Sequence, residues 1–165
     1  MTTTAHDLHI GEENLGQIAA EAASLCAAHW QEVEAPLHGP DYSFDAAHYA
    51  TLEALNMLCI LAVRGEGNNL LGYAAFCLTP CPHRRGRLTA MLDGLYLAPP
   101  ARRGLTALHL LRTAETLLAR RGASLVQYSS PTSRPCHALY RRLGAQQTES
   151  IWQKELAPIA KMEGQ

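Results

Sequence analysis

The chain has 165 residues, 47% of them hydrophobic and 18% charged, and its formal net charge at pH 7 is −1. This predicts a single domain over residues 1–156, followed by a tail over 157–165. No apolar run approaches the roughly 18–20 residues that span a bilayer, and the N-terminus lacks a secretory pattern. Five scattered cysteines indicate reduced thiols. We therefore expect a cytoplasmic protein rather than a membrane-spanning or secreted one.

Strands and helices alternate in the predicted secondary structure. Apolar residues three and four positions apart predict helices, short apolar runs predict strands, and Gly, Pro and Asn clusters predict turns. Pro36, Gly39 and Pro40 predict a loop after the first helix. The chain order is a strand at 7–10, helices at 12–30 and 45–56, strands at 57–63, 70–78 and 88–97, a helix ending at Gly122, a strand at 124–128, a helix at 136–143 and a strand at 149–156.

The charges are divided unevenly along the chain. Residues 1–83 carry ten acidic residues and one basic residue, whereas residues 84–165 carry thirteen basic residues and five acidic ones. Such a division would place positive charge around an anionic ligand and leave an acidic surface for a cationic one. Two solvated faces of opposite sign are an equally good interpretation of these counts.

The segment from Leu95 to Gly122 carries the strongest chemical signal. Its strand ends at Pro99-Pro100, and two arginines and a glycine follow before an amphipathic helix begins. The first turn of a helix leaves amide N–H groups unpaired and carries roughly +0.5 charge. Residues 102–107 should therefore bind an anion. The segment contains neither a P-loop nor a G-x-G-x-x-G fingerprint, which indicates a different phosphorylated ligand.

This segment resembles the GNAT family of acyl-CoA-dependent N-acetyltransferases. Residues 95–99, LYLAP, match the family's L-Y-V-x-P strand, and residues 110–115, LLRTAE, match its L-L-x-x-A-E helix. In that register Arg102 is the family's Arg/Gln and Ala107 its final Gly/Ala, while Leu105 replaces a glycine. The resemblance covers about residues 45–156, including a match of PCHALYRRLGA at 135–145 to the family's L-Y-x-x-L-G segment. Within that family, the sequence is most similar to members encoded by phages and prophages.

The resemblance implies a GNAT fold, an α/β architecture with a mixed central sheet in the order β-α-α-β-β-β-α-β-α-β. Two parallel strands splay apart in that fold, and the cleft between them holds the cofactor. The implied reaction is acetyl transfer from acetyl-CoA to a primary amine by direct attack in a ternary complex. The implied acetyl-CoA-binding residues are Leu95, Tyr96 and Leu97 on the strand, and Arg102, Arg103, Gly104, Leu105, Thr106 and Ala107 at the helix start.

Two side chains are candidates for proton transfer. Tyr140, in the family's L-Y segment, is the candidate general acid, because a phenol of pKa about 10 suits a departing thiolate of pKa about 8.5–9. Asp93 is the candidate general base, or the carboxylate that orients a water acting as one; as a base it would need burial. A core tyrosine and a carboxylate at a strand edge are the alternatives. Glu53 and His83 are reserve candidates.

Other interpretations of the sequence remain open. Cys77, Cys81 and His83 lack a second Cys/His pair at zinc-site spacing, so we expect no metal. Twelve of the fourteen basic residues are arginines, which would suit a nucleic-acid-binding module, but aromatic side chains are scarce among them. A GNAT-fold interaction protein without catalysis is a third possibility if Leu105 blocks the cofactor. The acceptor could be a small amine, a peptide N-terminus or a lysine side chain, and a homodimer is possible.

Overall fold

The computed structural model describes residues 8–156, which form one five-stranded mixed sheet between two layers of helices. The spatial order of the strands is their chain order. The first three neighbouring pairs are antiparallel and the last pair is parallel, as expected when a helix supplies the final connection. The strands are β1 (His9–Glu13), β2 (Leu58–Arg64), β3 (Leu70–Pro80), β4 (Leu88–Leu97) and β5 (Ala123–Gln127).

The helices lie on both faces of this sheet, which gives two apolar clusters. One face carries the N-terminal helices, with Ile18 and Leu25 packed on Tyr73 and Tyr96 of the sheet. The other face carries the later helices and the larger cluster around Phe76. The helices are α1 (Leu15–His29), α2 (Ala35–His38), α3 (Ala46–Ala54), α4 (Thr106–Arg120) and α5 (His137–Arg142), and a π-helical segment (Trp30–Glu34) connects α1 to α2.

Local sequence explains the central elements. All seven residues of β2 are buried, as expected for a continuous apolar strand covered by helices on both faces. Helix α4 places Leu110, Leu111, Ala114 and Leu118 fully inside the core, and this stripe follows the predicted period of 3.6 residues. None of the helices within residues 8–156 combines the length and apolar character that crossing a bilayer requires.

The N-terminal boundaries differ from the prediction. Glu12 and Glu13 belong to β1 rather than to the first helix, because Asn14 caps α1 in a reciprocal pair of hydrogen bonds with Gln17. The predicted first strand began at Asp7, which lies outside the described residues. The loop predicted from Pro36, Gly39 and Pro40 begins only at Gly39, because the helical path continues through Pro36 to His38. A proline in the first turn of a helix loses no intrahelical hydrogen bond.

The last predicted strand, at 149–156, is also wrong. These residues have irregular backbone, and Trp152 is 92% exposed. Alternating polar and apolar residues satisfy only one condition for a strand, because the backbone must also find a hydrogen-bonding neighbour. The predicted strand at 88–97 is confirmed at both ends. The predicted tail at 157–165 lies outside the described residues.

Candidate active site

Strands β4 and β5 separate partway along their length, and a cleft opens between them. Their pairing runs from Leu88 to Met91 on β4, after which β4 continues to Leu97 while β5 ends at Gln127. Beyond this point the Ser129 hydroxyl donates to the Leu92 carbonyl at 3.2 Å. The cleft has a volume of about 190 Å³ and is lined by β4, the end of α1, the start of α4 and α5. The splayed strands predicted for the cofactor are therefore present.

A β-bulge places Asp93 at the cleft. Ala75 of β3 faces Gly94 and Phe76 faces Leu92, so Asp93 is the extra residue on β4. Such a bulge re-aims a side chain, and here the Tyr49 hydroxyl donates a hydrogen bond to Asp93 Oδ2. Burial, and then Asp93, raise the pKa of Tyr49, which keeps its hydroxyl protonated. Asp93 itself is exposed, so the burial that a basic carboxylate would require is absent.

Residues 95–97 of β4 line the cleft with one edge of their backbone unpaired. They pair with β3 on one side, where Leu95 faces Ala74 and Leu97 faces Gly72. On the other side, β5 has already ended, and the described residues provide no replacement strand. The three strand residues predicted to bind acetyl-CoA, Leu95, Tyr96 and Leu97, therefore all border the cleft.

The turn before α4 presents unpaired amides. Among residues 8–156, no backbone or side-chain group accepts a hydrogen bond from the amides of Gly104, Leu105 or Ala107. Gly104 has φ of +53°, and a Cβ at that position would meet open space. The Thr106 hydroxyl donates to the Arg103 carbonyl at 2.9 Å, which fixes the turn. Leu105 is 47% exposed, so its side chain does not fill the turn.

The two arginines of this turn have intramolecular partners. Arg102 donates to both carboxylate oxygens of Glu32, at 2.8 and 2.6 Å, and to the Leu97 carbonyl at 2.6 Å. Arg103 donates to the Pro100 carbonyl at 2.7 Å. Arg102 also lies over the Tyr96 ring, 5.2 Å from its centroid. It therefore connects the turn to the π-helical segment as well as carrying positive charge beside the unpaired amides.

Sequence reasoning missed Glu32. Its carboxylate accepts from the Tyr96 hydroxyl at 3.1 Å and pairs with Arg134 as well as Arg102. It thus bridges β4, the turn before α4 and the loop after β5. The pairing joins residues 70 positions apart in the chain, and no local pattern signals it. The wide π-helical turn that carries Glu32 was likewise outside the predicted elements.

Tyr140 forms part of the cleft wall opposite the N-terminal helices. Its side chain is 8% exposed, its hydroxyl donates to the Ser129 carbonyl at 2.6 Å, and its ring stacks on Tyr128 with centroids 4.8 Å apart. Burial raises the pKa of this hydroxyl, so that it stays protonated. The structure therefore brings Tyr140 and Asp93 to the same cleft.

The reserve candidates lie elsewhere. Glu53 accepts a hydrogen bond from the Leu15 amide at 2.6 Å, which satisfies the start of α1. His83 is exposed and does not line the cleft. Within the described part of the chain, no cluster of His, Cys, Asp and Glu could hold a metal ion. A nucleic-acid-binding module would need free arginines, but three of them, Arg102, Arg121 and Arg134, are paired with carboxylates.

Solved structures share this fold at low sequence identity. A ribosomal-protein-alanine N-acetyltransferase from Brucella melitensis biovar Abortus 2308 aligns with a TM-score of 0.74 and 22% identity over 93% of this chain and 100% of its own. An aminoglycoside acetyltransferase from an uncultured soil metagenomic sample gives 0.73 and 19%, over 92% and 99%. A predicted acetyltransferase with acetyl-CoA from Clostridium acetobutylicum gives 0.68 and 14%, over 90% and 96%.

Sequence comparison assigns the family. No curated protein matches the chain at a significant level. The model of the acetyltransferase (GNAT) family, however, matches residues 24–145, a range that includes the end of α1, the splayed strands, the turn before α4 and Tyr140. The chain therefore belongs to the acetyltransferase (GNAT) family, whose members are acyl-CoA-dependent N-acyltransferases.

Proposed function

We propose that this protein transfers an acetyl group from acetyl-CoA to the nitrogen of a primary amine, by direct attack while both substrates are bound. The observation that carries the proposal is the cleft between β4 and β5, which brings the free backbone edge of residues 95–97 together with Asp93 and Tyr140. Acyl transfer needs a positioned thioester, a group that receives the amine and a proton donor for the leaving thiolate. The cleft contains a candidate for each.

The residues at the start of α4 suit the diphosphate of acetyl-CoA. Free amides of Gly104, Leu105 and Ala107 point to an anion at a helix N-terminus, and Arg102 and Arg103 add positive charge there. In this proposal Arg102 exchanges one of its Glu32 contacts for a phosphate oxygen. Leu95, Tyr96 and Leu97 would hold the pantetheine arm through their backbone, and Thr106 would support the turn.

Acetyl-CoA is expected to stabilise the protein against heat. Ligand at a hundred times its Kd adds about 2.7 kcal/mol to the free energy of unfolding, which a thermal shift assay detects. Ala107→Glu should abolish the shift, because it places a carboxylate beside the anion-binding amides. Ala119→Glu, the same substitution at the exposed far end of α4, should preserve it. An unchanged melting temperature of the wild type in millimolar acetyl-CoA would refute the proposal.

Asp93 is proposed to bind the incoming ammonium group and orient it. Its exposed position and its contact with Tyr49 suit a charged anchor better than a base. Asp93→Asn keeps the shape and removes the charge, and a hydrogen bond to a charged group is worth about 1.5–3 kcal/mol. We expect kcat/KM for the amine to fall by about 10–100-fold with acetyl-CoA binding unchanged, measured by steady-state kinetics and calorimetry. A weaker acetyl-CoA affinity with an unchanged KM for the amine would contradict this role.

The acceptor is proposed to be a cationic amine from one of three classes: a peptide N-terminus, a lysine side chain or a small amine. The acidic N-terminal half supplies Glu34 at the cleft, and Asp93 adds a second carboxylate there. The proteins of similar fold include a ribosomal-protein-alanine enzyme and an aminoglycoside enzyme, which supports amines of different sizes. A cytoplasmic location, a homodimer and kinship with phage-encoded members stay predictions.

A further inference from the structure

We propose that His29 is the catalytic base that removes the proton from the acceptor amine, a role that rests on the acetyl transfer proposed above. His29 is the last residue of α1, where the backbone turns into the π-helical segment. Its side chain is 12% exposed and lines the cleft beside Asp93 and Gly94. Neither the family motifs nor the spacing of the eight histidines singles it out.

The imidazole of His29 is held in a defined orientation. Its Nδ1 lies 2.8 Å from the Tyr73 hydroxyl oxygen, and its ring stacks on Tyr96 with centroids 5.4 Å apart. When Nδ1–H donates to Tyr73, the Nε2 lone pair is left free to accept a proton. The Tyr73 ring also meets the imidazole edge-on, with centroids 6.0 Å apart. Two aromatic contacts and one hydrogen bond thus fix the ring, as a proton-transfer group requires.

Gly94 makes room for this arrangement. A Cβ on Gly94 would lie 3.2 Å from the Tyr73 ring and 3.8 Å from His29 Cε1. A side chain at this position would crowd the hydrogen-bonded pair. Gly94 also follows Asp93, the extra residue of the bulge. The imidazole therefore lies next to the carboxylate that we propose binds the ammonium group.

The charged and titratable neighbours of His29 favour a neutral base that can become charged. Burial lowers its pKa below 6.5, and Glu34 and Asp93 oppose that shift in part. Glu34 Oε1 lies 3.8 Å from Nε2. The remaining titratable neighbours are Tyr73 and Tyr96 on the sheet, and Cys26, Tyr42 and Tyr49 lie beside Tyr73. Burial therefore favours the neutral imidazole, and the carboxylates of Glu34 and Asp93 favour its protonated form.

The proton balance follows from this assignment. His29 Nε2 takes one proton from the ammonium group, which frees the nitrogen lone pair to form the C–N bond as the C–S bond breaks. Tyr140 gives its proton to the departing thiolate and regains one from the second N–H of the amine. His29 then releases its proton to solvent. The net products are an amide, a thiol and one proton.

His29→Gln should lower kcat by about 10²–10⁴-fold, the usual contribution of a general base, and leave the Kd for acetyl-CoA unchanged. The amine probe is whichever of an alanine-terminated peptide, a lysine-containing peptide and an aminoglycoside gives the highest wild-type rate. His9→Gln, an exposed histidine on β1 at the opposite edge of the sheet, is the matched control and should keep the wild-type rate.

Two readouts separate proton transfer from a structural role. The wild-type kcat/KM should fall as the pH drops through the pKa of His29, below 6.5, because a protonated imidazole cannot accept a proton; His29→Gln should lack this inflection. Imidazole added to the buffer should restore part of the rate of His29→Ala. A His29→Gln rate within about twofold of wild type, or failure of imidazole to restore any rate, would overturn the proposal.

The activity assay distinguishes failure of this inference from failure of the proposed function. If the wild type acetylates none of the three probes, the proposed function fails and the base role fails with it. If the wild type acetylates a probe and His29→Gln keeps the wild-type rate, only the base role fails.

Discussion

Tyr140→Phe is expected to lower kcat by about 10²–10⁴-fold while acetyl-CoA binds with unchanged affinity. The substitution removes only the hydroxyl, which lies on the cleft wall and donates to the Ser129 carbonyl. Burial keeps that hydroxyl protonated, so it can give its proton to a thiolate once it exchanges the carbonyl for the leaving sulfur. Without the hydroxyl, the thiolate must leave unprotonated or take a proton from water.

The matched control is Tyr128→Phe. Tyr128 is also partly buried, stacks on Tyr140 and donates to Glu115 at 2.7 Å, but it does not line the cleft. Each variant loses one hydrogen bond, worth about 0.5–1.5 kcal/mol of stability, so the two should unfold at similar denaturant concentrations. Only Tyr140→Phe should lose turnover. Normal turnover by Tyr140→Phe would remove this residue from the mechanism.

Leu111→Ala is expected to reduce the free energy of unfolding by about 2–5 kcal/mol. Leu111 is fully buried in the larger core cluster, where α4 packs on the sheet. Truncation removes apolar contacts and leaves a cavity that the surrounding strands can fill only partly. Since the free energy of unfolding of a domain is typically about 5–15 kcal/mol, this one substitution removes a large fraction of it.

Leu105→Ala provides the matched control for Leu111→Ala. The same substitution, one and a half turns earlier on the exposed turn before α4, should change the free energy of unfolding by no more than about 0.5 kcal/mol. Urea unfolding monitored by circular dichroism measures both. Equal losses in the two variants would show that α4 does not pack as described. Leu105→Ala should also retain acetyl-CoA binding, because the amides that we assign to the diphosphate belong to the backbone.

The strands and helices that depend only on residues close together in the chain were predicted well. Strand 88–97 ends where Pro99 and Pro100 cannot continue a ladder, and the stripe of α4 follows from the helical period, so both were found at or near their boundaries. The unpaired amides before α4 are also a local feature, because unpaired amides exist at any helix start, whereas the anion assigned to them stays a prediction. The predicted loop started too early at Pro36, because proline is compatible with a first helical turn. The strand at 149–156 was wrong, because a strand depends on a partner that no local pattern reveals.

The sequence by itself determined the order of strands β1 to β5 and of helices α1, α3, α4 and α5, the apolar stripe of α4 and the family motifs that single out Tyr140 and residues 95–107. Only the tertiary structure decided which side chains meet in the cleft. Glu32 reaches Arg102 across 70 positions, and His29 meets Tyr73 across 44. Such contacts are set by the packing of α1 and the π-helical segment on the sheet. Residues so far apart in the chain produce no periodic sequence pattern that would reveal their contact. These contacts on the α1 side of the cleft therefore became visible only in the folded chain.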